Sequence, residues 1–81
     1  MAVERDSLVQ FLRGEIIQRT GVSEADLRND ELLSTLGLSS LEIVLISGAL
    51  EDRFDIEVEP TLLFEYPTID DIADRIAEEP K

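Results

Sequence analysis

The sequence predicts an all-α fold, a small four-helix bundle of three longer helices and one short one, from three observations. Leu8, Val9, Leu12 and Ile16 recur at helical spacing, and so do Ile69, Ile72, Ala73 and Ile76. Ser39-Ser40-Leu41-Glu42 carries the reciprocal capping pattern that opens a helix. The single stretch that alternates like a strand has no partner, and lone strands are not stable. With 81 residues the chain has room for one core, so residues 1–81 are expected to form a single domain.

The first helix is expected over residues 4–19. Its apolar stripe leaves Glu4, Arg5, Asp6, Gln10 and Arg13 largely outside, and Gly21 stands just past its end, where a left-handed residue closes a helix. From Val22 to Leu38 the periodicity weakens. Ser23 and Asp26 can cap one short turn, and Leu27, Leu32, Leu33, Leu36 and Leu38 are spaced as anchors, so this segment reads as a long loop pinned to the core.

The second helix opens at Ser39 and is expected to reach Phe54, because an acidic, extended stretch, Asp55-Ile56-Glu57-Val58-Glu59-Pro60, follows. Ile56 and Val58 in that stretch read as anchored side chains of a loop. Thr61 to Glu65 makes one helical turn after Pro60, the short third helix, and Tyr66 before Pro67 is biased to extended geometry. Thr68, with Asp71 three residues later, starts the last helix, and Pro80 stops it.

Composition excludes most chemistry. The chain has no Cys and no His, so it lacks thiolate nucleophiles, cysteine zinc sites, the usual general base and the commonest metal ligand. Neither a self-contained hydrolase nor a metalloenzyme is expected. Nineteen acids against seven bases leave a net charge of −12, which repels phosphate backbones and favours protein partners with basic patches. Nucleic acid is therefore not an expected partner. The longest unbroken apolar run, Ile43 to Ile46, is far too short for a membrane span, and no basic segment followed by an apolar stretch marks the N-terminus. A cytoplasmic, monomeric protein is the expectation.

The second helix departs from a plain bundle helix. At about 100° per residue, Ile43, Ile46, Leu50 and Phe54 share one side, while Leu41, Val44, Leu45 and Gly48 gather on the other with Asp52 below them. That second apolar patch makes this either a central core helix or one that offers a contact surface to another protein. Gly48 inside the patch points to a close backbone approach, by a partner or by a neighbouring helix. Ser39 and Ser40 stand where free backbone N–H groups and the positive end of the helix dipole would stabilise a phosphate, although such a Ser-Ser also serves as an ordinary cap.

The string Leu36-Gly37-Leu38-Ser39-Ser40-Leu41, followed further along by Phe64-Glu65-Tyr66-Pro67-Thr68, resembles the acyl and peptidyl carrier proteins of fatty acid, polyketide and nonribosomal peptide synthesis. The resemblance covers roughly residues 4–79. It implies that Ser40 receives 4′-phosphopantetheine from coenzyme A through a separate phosphopantetheinyl transferase, and that the arm's thiol then holds an acyl, polyketide, aminoacyl or peptidyl group as a thioester. The chain itself would not be an enzyme. It would dock on acyl- or aminoacyl-loading enzymes and synthase domains, through basic and apolar patches on their side, by Leu41, Glu42, Val44, Leu45, Gly48 and Asp52. Glu51, Asp55, Glu57 and Glu59 would add electrostatic steering.

One residue departs from the pattern. Where the resembling proteins usually carry Asp before the attachment serine, this chain has Ser39, which can cap the helix but supplies no charge. This leaves a second reading, a docking module of the same fold that is never phosphopantetheinylated. A third, a calcium loop drawn from Asp26, Asn29, Asp30 and Glu31, fails the usual pattern because position 31 is Glu where a glycine would fall.

Overall fold

The computed structural model describes residues 3–78 and orders them as α1 (Arg5–Thr20), a 3₁₀ turn (Leu33–Leu36), α2 (Ser40–Phe54), α3 (Pro60–Glu65) and α4 (Ile69–Glu78). The stop expected at Pro80 lies outside the described residues. The stripe of α1 is buried as its spacing requires, with Leu8 and Ile16 fully enclosed and Val9 and Leu12 nearly so. Gly21 adopts φ 77° and its N–H donates to Ile17 O at 2.9 Å, closing the helix in the conformation that glycine alone takes without strain.

The long loop between α1 and α2 is pinned, but not solely by its leucines. Leu27, Leu33 and Leu38 are buried and Leu36 is half-buried, whereas Leu32 is 47% exposed, contrary to its expected place as an anchor. At Leu32 the backbone makes the attachment. It forms one antiparallel bridge with Thr68, and the next N–H, of Leu33, donates to Pro67 O at 2.8 Å. Asp70 N–H donates to Asn29 O at 3.0 Å, so the loop is tied to the start of α4 at two places. Ser23 caps its short turn as expected, accepting from Asp26 N–H at 3.2 Å.

Arg13 corrects a second expectation. Placed by periodicity outside the apolar stripe of α1, its side chain is only 12% exposed because it lies under the loop. Its guanidinium donates to Glu24 Oε2 at 3.0 Å, Glu24 O at 2.8 Å, Leu27 O at 2.9 Å and Asn29 Oδ1 at 2.7 Å. A planar fork with five donors suits that set of acceptors, and an ammonium does not. Arg13→Met, which keeps the apolar stem, should lower the unfolding free energy by about 2 to 3 kcal/mol, because charge-assisted bonds to partly buried carbonyls are lost together. Urea titration reads this directly; a loss under about 0.5 kcal/mol would show that the loop is held by its leucines alone.

Helix α2 ends at Phe54, as expected. Asp55 takes the left-handed conformation, φ 56°, and its N–H donates to Glu51 O. Phe54 packs edge-on against Phe11 with ring centroids 5.6 Å apart, joining the far end of α2 to α1. The extended stretch after it is anchored by Val58, which is buried, and Ile56, half-buried. Glu51 secures that stretch as well, its Oε2 accepting from Val58 N–H at 2.8 Å.

Pro60 occupies the first turn of α3, where its missing N–H costs nothing, and Leu63 drives into the core. Thr68 Oγ1 caps α4 by accepting from Asp71 N–H at 3.0 Å. Ile69, Ile72, Ala73 and Ile76 then complete one core with α1 and α2. Across the surface, Arg5 reaches from α1 to Asp70, at 2.8 Å, and to Asp74 on α4.

Gly48 serves no packing purpose inside the chain. A Cβ built on it meets nothing within 4 Å, so no neighbouring helix requires a glycine there. Gly48→Ala should therefore stabilise the domain by about 0.8 to 1.0 kcal/mol through helix propensity. A fall in the urea midpoint instead would show that another part of the chain packs against Gly48 in solution.

Candidate functional site

The start of α2 is held from both sides. Leu38, buried just before it, and Ile43, buried just after its first turn, fix the backbone between them, so residues 39–42 cross the rim of the core. Gly37, at φ 86°, ends the 3₁₀ turn and sets the direction of entry. Ser39 is the N-cap, with φ −79° and ψ 166°, and both halves of the capping box are made. Glu42 N–H donates to Ser39 Oγ at 3.2 Å, and Ser39 N–H donates to Glu42 Oε1 at 3.0 Å.

The two serines are thereby given different roles. Ser39 Oγ is spent on the cap, whereas Ser40, the first residue of α2, is exposed. Its hydroxyl stands at the positive end of the helix dipole, beside first-turn amides that the helix itself cannot satisfy. The sequence has neither His nor Cys, so the imidazole or thiolate that most often activates a serine hydroxyl is absent from it.

Around Ser40 the second face of α2 is open. Leu41 is 67% exposed, Leu45 48% and Val44 40%, while Ile43, Ile46 and Leu50 of the same helix lie within the core. One of the two expectations for α2 is thereby excluded: it is not a central core helix. Ser47, between the faces, is buried and its hydroxyl donates to Val44 O at 2.6 Å. Phe64 on α3, 49% exposed, is a further large apolar group, one that the sequence reading placed in a motif string but not on the contact surface. The signal was present in Leu62-Leu63-Phe64, since a six-residue helix cannot bury three consecutive apolar side chains on one face.

The acidic residues divide. Asp52, Asp55, Glu57 and Glu59 are exposed, but Glu51 is engaged with Val58 and Glu42 with Ser39. Around the long loop, Arg28 donates to both oxygens of Asp30 at 3.0 Å, and this hydrogen bond first, with the guanidinium charge second, holds the Asp30 carboxyl below its usual range. Asn29 faces Arg13. Among the described residues no group of three or more acidic, His or Cys side chains is arranged to hold a metal, so the calcium-loop reading is set aside. A shallow cavity of about 430 Å³ lies between Asp6, Ser7, Gln10, Phe11 and Arg53, at the end of α2 remote from Ser40.

A helical body that exposes a serine at the first position of a capped helix, with an open apolar face beside it, has the build of a presenting module, one that offers a group for others to act upon. The chain belongs to the phosphopantetheine attachment-site family, whose model matches residues 10–76. The group attached in this family is phosphopantetheine, and its members tether intermediates and do not catalyse.

The chain is similar to part of the non-reducing polyketide synthase albA of Aspergillus niger, at 27% identity over 79 residues, 98% of this chain and 4% of that protein. It is 36% identical over 73 residues, 90% of its length, to 4% of a phenolphthiocerol/phthiocerol polyketide synthase of Mycobacterium tuberculosis. The chain thus spans only a small fraction of these relatives. Among solved structures it resembles a free-standing peptidyl carrier protein from an Acinetobacter baumannii secondary metabolic pathway, with a TM-score of 0.81 and 30% identity, covering 89% of this chain and 90% of that one. The four-helix carrier fold expected from the sequence is the fold observed.

Proposed function

We propose that the chain is an acyl carrier whose 4′-phosphopantetheine arm is attached at Ser40, and that it carries polyketide-type acyl intermediates. The observation that carries this reading is the division of labour at the start of α2, where both serines are exposed but Ser39 Oγ is committed to the cap and Ser40 occupies the first helical position. The residues fit the arm: the first-turn amides of α2 suit a phosphodiester on Ser40 Oγ, and the exposed rim gives the chain beyond it free passage into solvent. When bound, the arm supplies a terminal thiol that this Cys-free sequence lacks and on which an acyl group is held as a thioester.

The cargo class is inferred from the relatives, which are polyketide synthases, and from a motif string, Phe64 to Thr68, that fits polyketide or peptide assembly lines. The partners are a phosphopantetheinyl transferase and the synthase domains that load and use the arm. They would meet α2 through Leu41, Val44 and Leu45, with Gly48 allowing close approach, with Phe64 of α3 as a further apolar group, and with Asp52 contributing charge. Docking of this kind weakens with salt in proportion to its charged share.

The test is intact mass. Incubation with coenzyme A and a broad-specificity transferase should add one arm to the full chain. A docking module without an arm would stay at its unmodified mass under every transferase tried, and would capture its partner in that state. The mass of the protein taken from its native host weighs the cargo as well.

A further inference from the structure

We infer that the outer face of α1 is an interaction surface for a second copy of this chain, the two helices crossing antiparallel about a two-fold axis at Gly14. Such pairing involves neither the arm nor Ser40, and it departs from the monomer expected from the sequence. At about 100° per residue, Ser7, Gln10, Phe11, Gly14, Ile17 and Gln18 share one side of α1, away from the buried Leu8, Val9, Leu12 and Ile16. No acid or base falls among them, although the chain carries a net charge of −12. Copies this acidic repel one another in most orientations, so an uncharged face is where two of them meet at the least electrostatic cost.

The order of residues along the face selects the partner. Counted outward from Gly14, Phe11 and Ile17 are both three positions away, and Gln10 and Gln18 both four. A two-fold axis at Gly14 therefore sets Phe11 against Ile17 of the second copy and Gln10 against its Gln18, and repeats both pairs on the other side. Each glutamine amide both donates and accepts, so the outer pairs can bond reciprocally. Gln10 and Gln18 are exposed, and neither side chain has a hydrogen-bond partner among the described residues. Phe11 and Ile17 are half-buried, which leaves part of each apolar side chain to be covered.

Gly14 is the point of closest approach. It is exposed in the middle of α1, and glycine is the poorest helix former apart from proline. A Cβ built there meets nothing within 4 Å, so no packing among the described residues calls for a glycine. On the axis, the missing side chain lets two backbones come together. The cavity of about 430 Å³ opens on the same face, beside Ser7, Gln10 and Phe11, and gives room to the long Gln18 side chain of the second copy.

Analytical ultracentrifugation of the full chain over a concentration series tests this. The sedimenting mass should rise from one chain toward two with concentration, and the rise should strengthen with salt, because salt screens the repulsion between acidic copies. Docking through charge, as proposed for α2, has the opposite salt dependence. Gly14→Glu should weaken association at least about tenfold, since two carboxylates then meet at the axis, while the thermal midpoint does not fall. The register has its own test. Chains with Gln10→Lys and Gln18→Lys should repel one another, as should chains with Gln10→Glu and Gln18→Glu, and an equal mixture of the two should associate at least as tightly as the wild type. The pairing is overturned by a single-chain mass at every concentration and salt, by variants that self-associate as the wild type does, or by a mixture that fails to associate. A chain that stays single, and whose Gly14→Glu variant loses binding to a synthase domain, overturns it too and assigns the face to that domain.

Discussion

Ser40→Ala should abolish the mass gain with coenzyme A completely, and Ser39→Ala should leave it intact. The two residues are adjacent and chemically identical, so only geometry separates them. Ser39 Oγ accepts from Glu42 N–H at 3.2 Å and lies at the N-cap, where it terminates the helix. Removing it costs a cap, about 1 kcal/mol, and a lower midpoint in urea should accompany unchanged attachment. Ser40 is exposed at the first helical position, so its replacement should cost little stability and all of the loading. The reverse pattern, loss of loading in Ser39→Ala with retention in Ser40→Ala, would assign the arm to the wrong oxygen and with it the whole orientation of the site.

Leu50→Ala should destabilise the domain by about 2 to 5 kcal/mol, and Leu45→Ala by less than about 0.5 kcal/mol, although both lie on α2 and remove the same atoms. Leu50 is fully buried within the core cluster, so its truncation leaves a cavity. Leu45 is 48% exposed and has nothing above it within the chain to lose. For a domain whose total stability falls in the usual range of about 5 to 15 kcal/mol, the first change brings partial unfolding within reach at ordinary temperature. Leu45→Ala should instead weaken capture of the loading partner while the urea midpoint stays in place. Equal destabilisation by both would mean that the outer face of α2 is packed in solution and not available for docking.

The helices were legible in the sequence because the interactions that start and stop them are short-range. The Ser39–Glu42 box, the Thr68–Asp71 cap and the Gly21 closure each join residues within four positions of one another, so chain geometry alone brings them together. The buried stripes of α1 and α4 follow from the same periodicity. Family resemblance in the two motif strings then pointed to Ser40, which is exposed as its neighbour Ser39 is.

What was missed depends on where the long loop returns. Arg13 looks solvent-facing on a helical projection, and only the path of residues 24–29 over it supplies its acceptors. Leu32 looks like a core residue by composition, yet its backbone pairs with Thr68 and its side chain is left outside. Glu51 looks like a steering charge until the chain after α2 brings Val58 N–H against it. For Gly48 the sequence allowed a neighbouring helix, and the fold places none there.

By itself, then, the sequence determined the all-α class, the ends of α2 and the lack of His and Cys, and its resemblance nominated Ser40. Tertiary structure alone decided which face of α2 is open, which acids are already engaged, and how the loop before Ser39 is tied down. The physical reason is one of distance along the chain. Caps and periodic stripes are settled within a helical turn, whereas burial and long-range hydrogen bonds are settled only when segments far apart in sequence compete for the same small core.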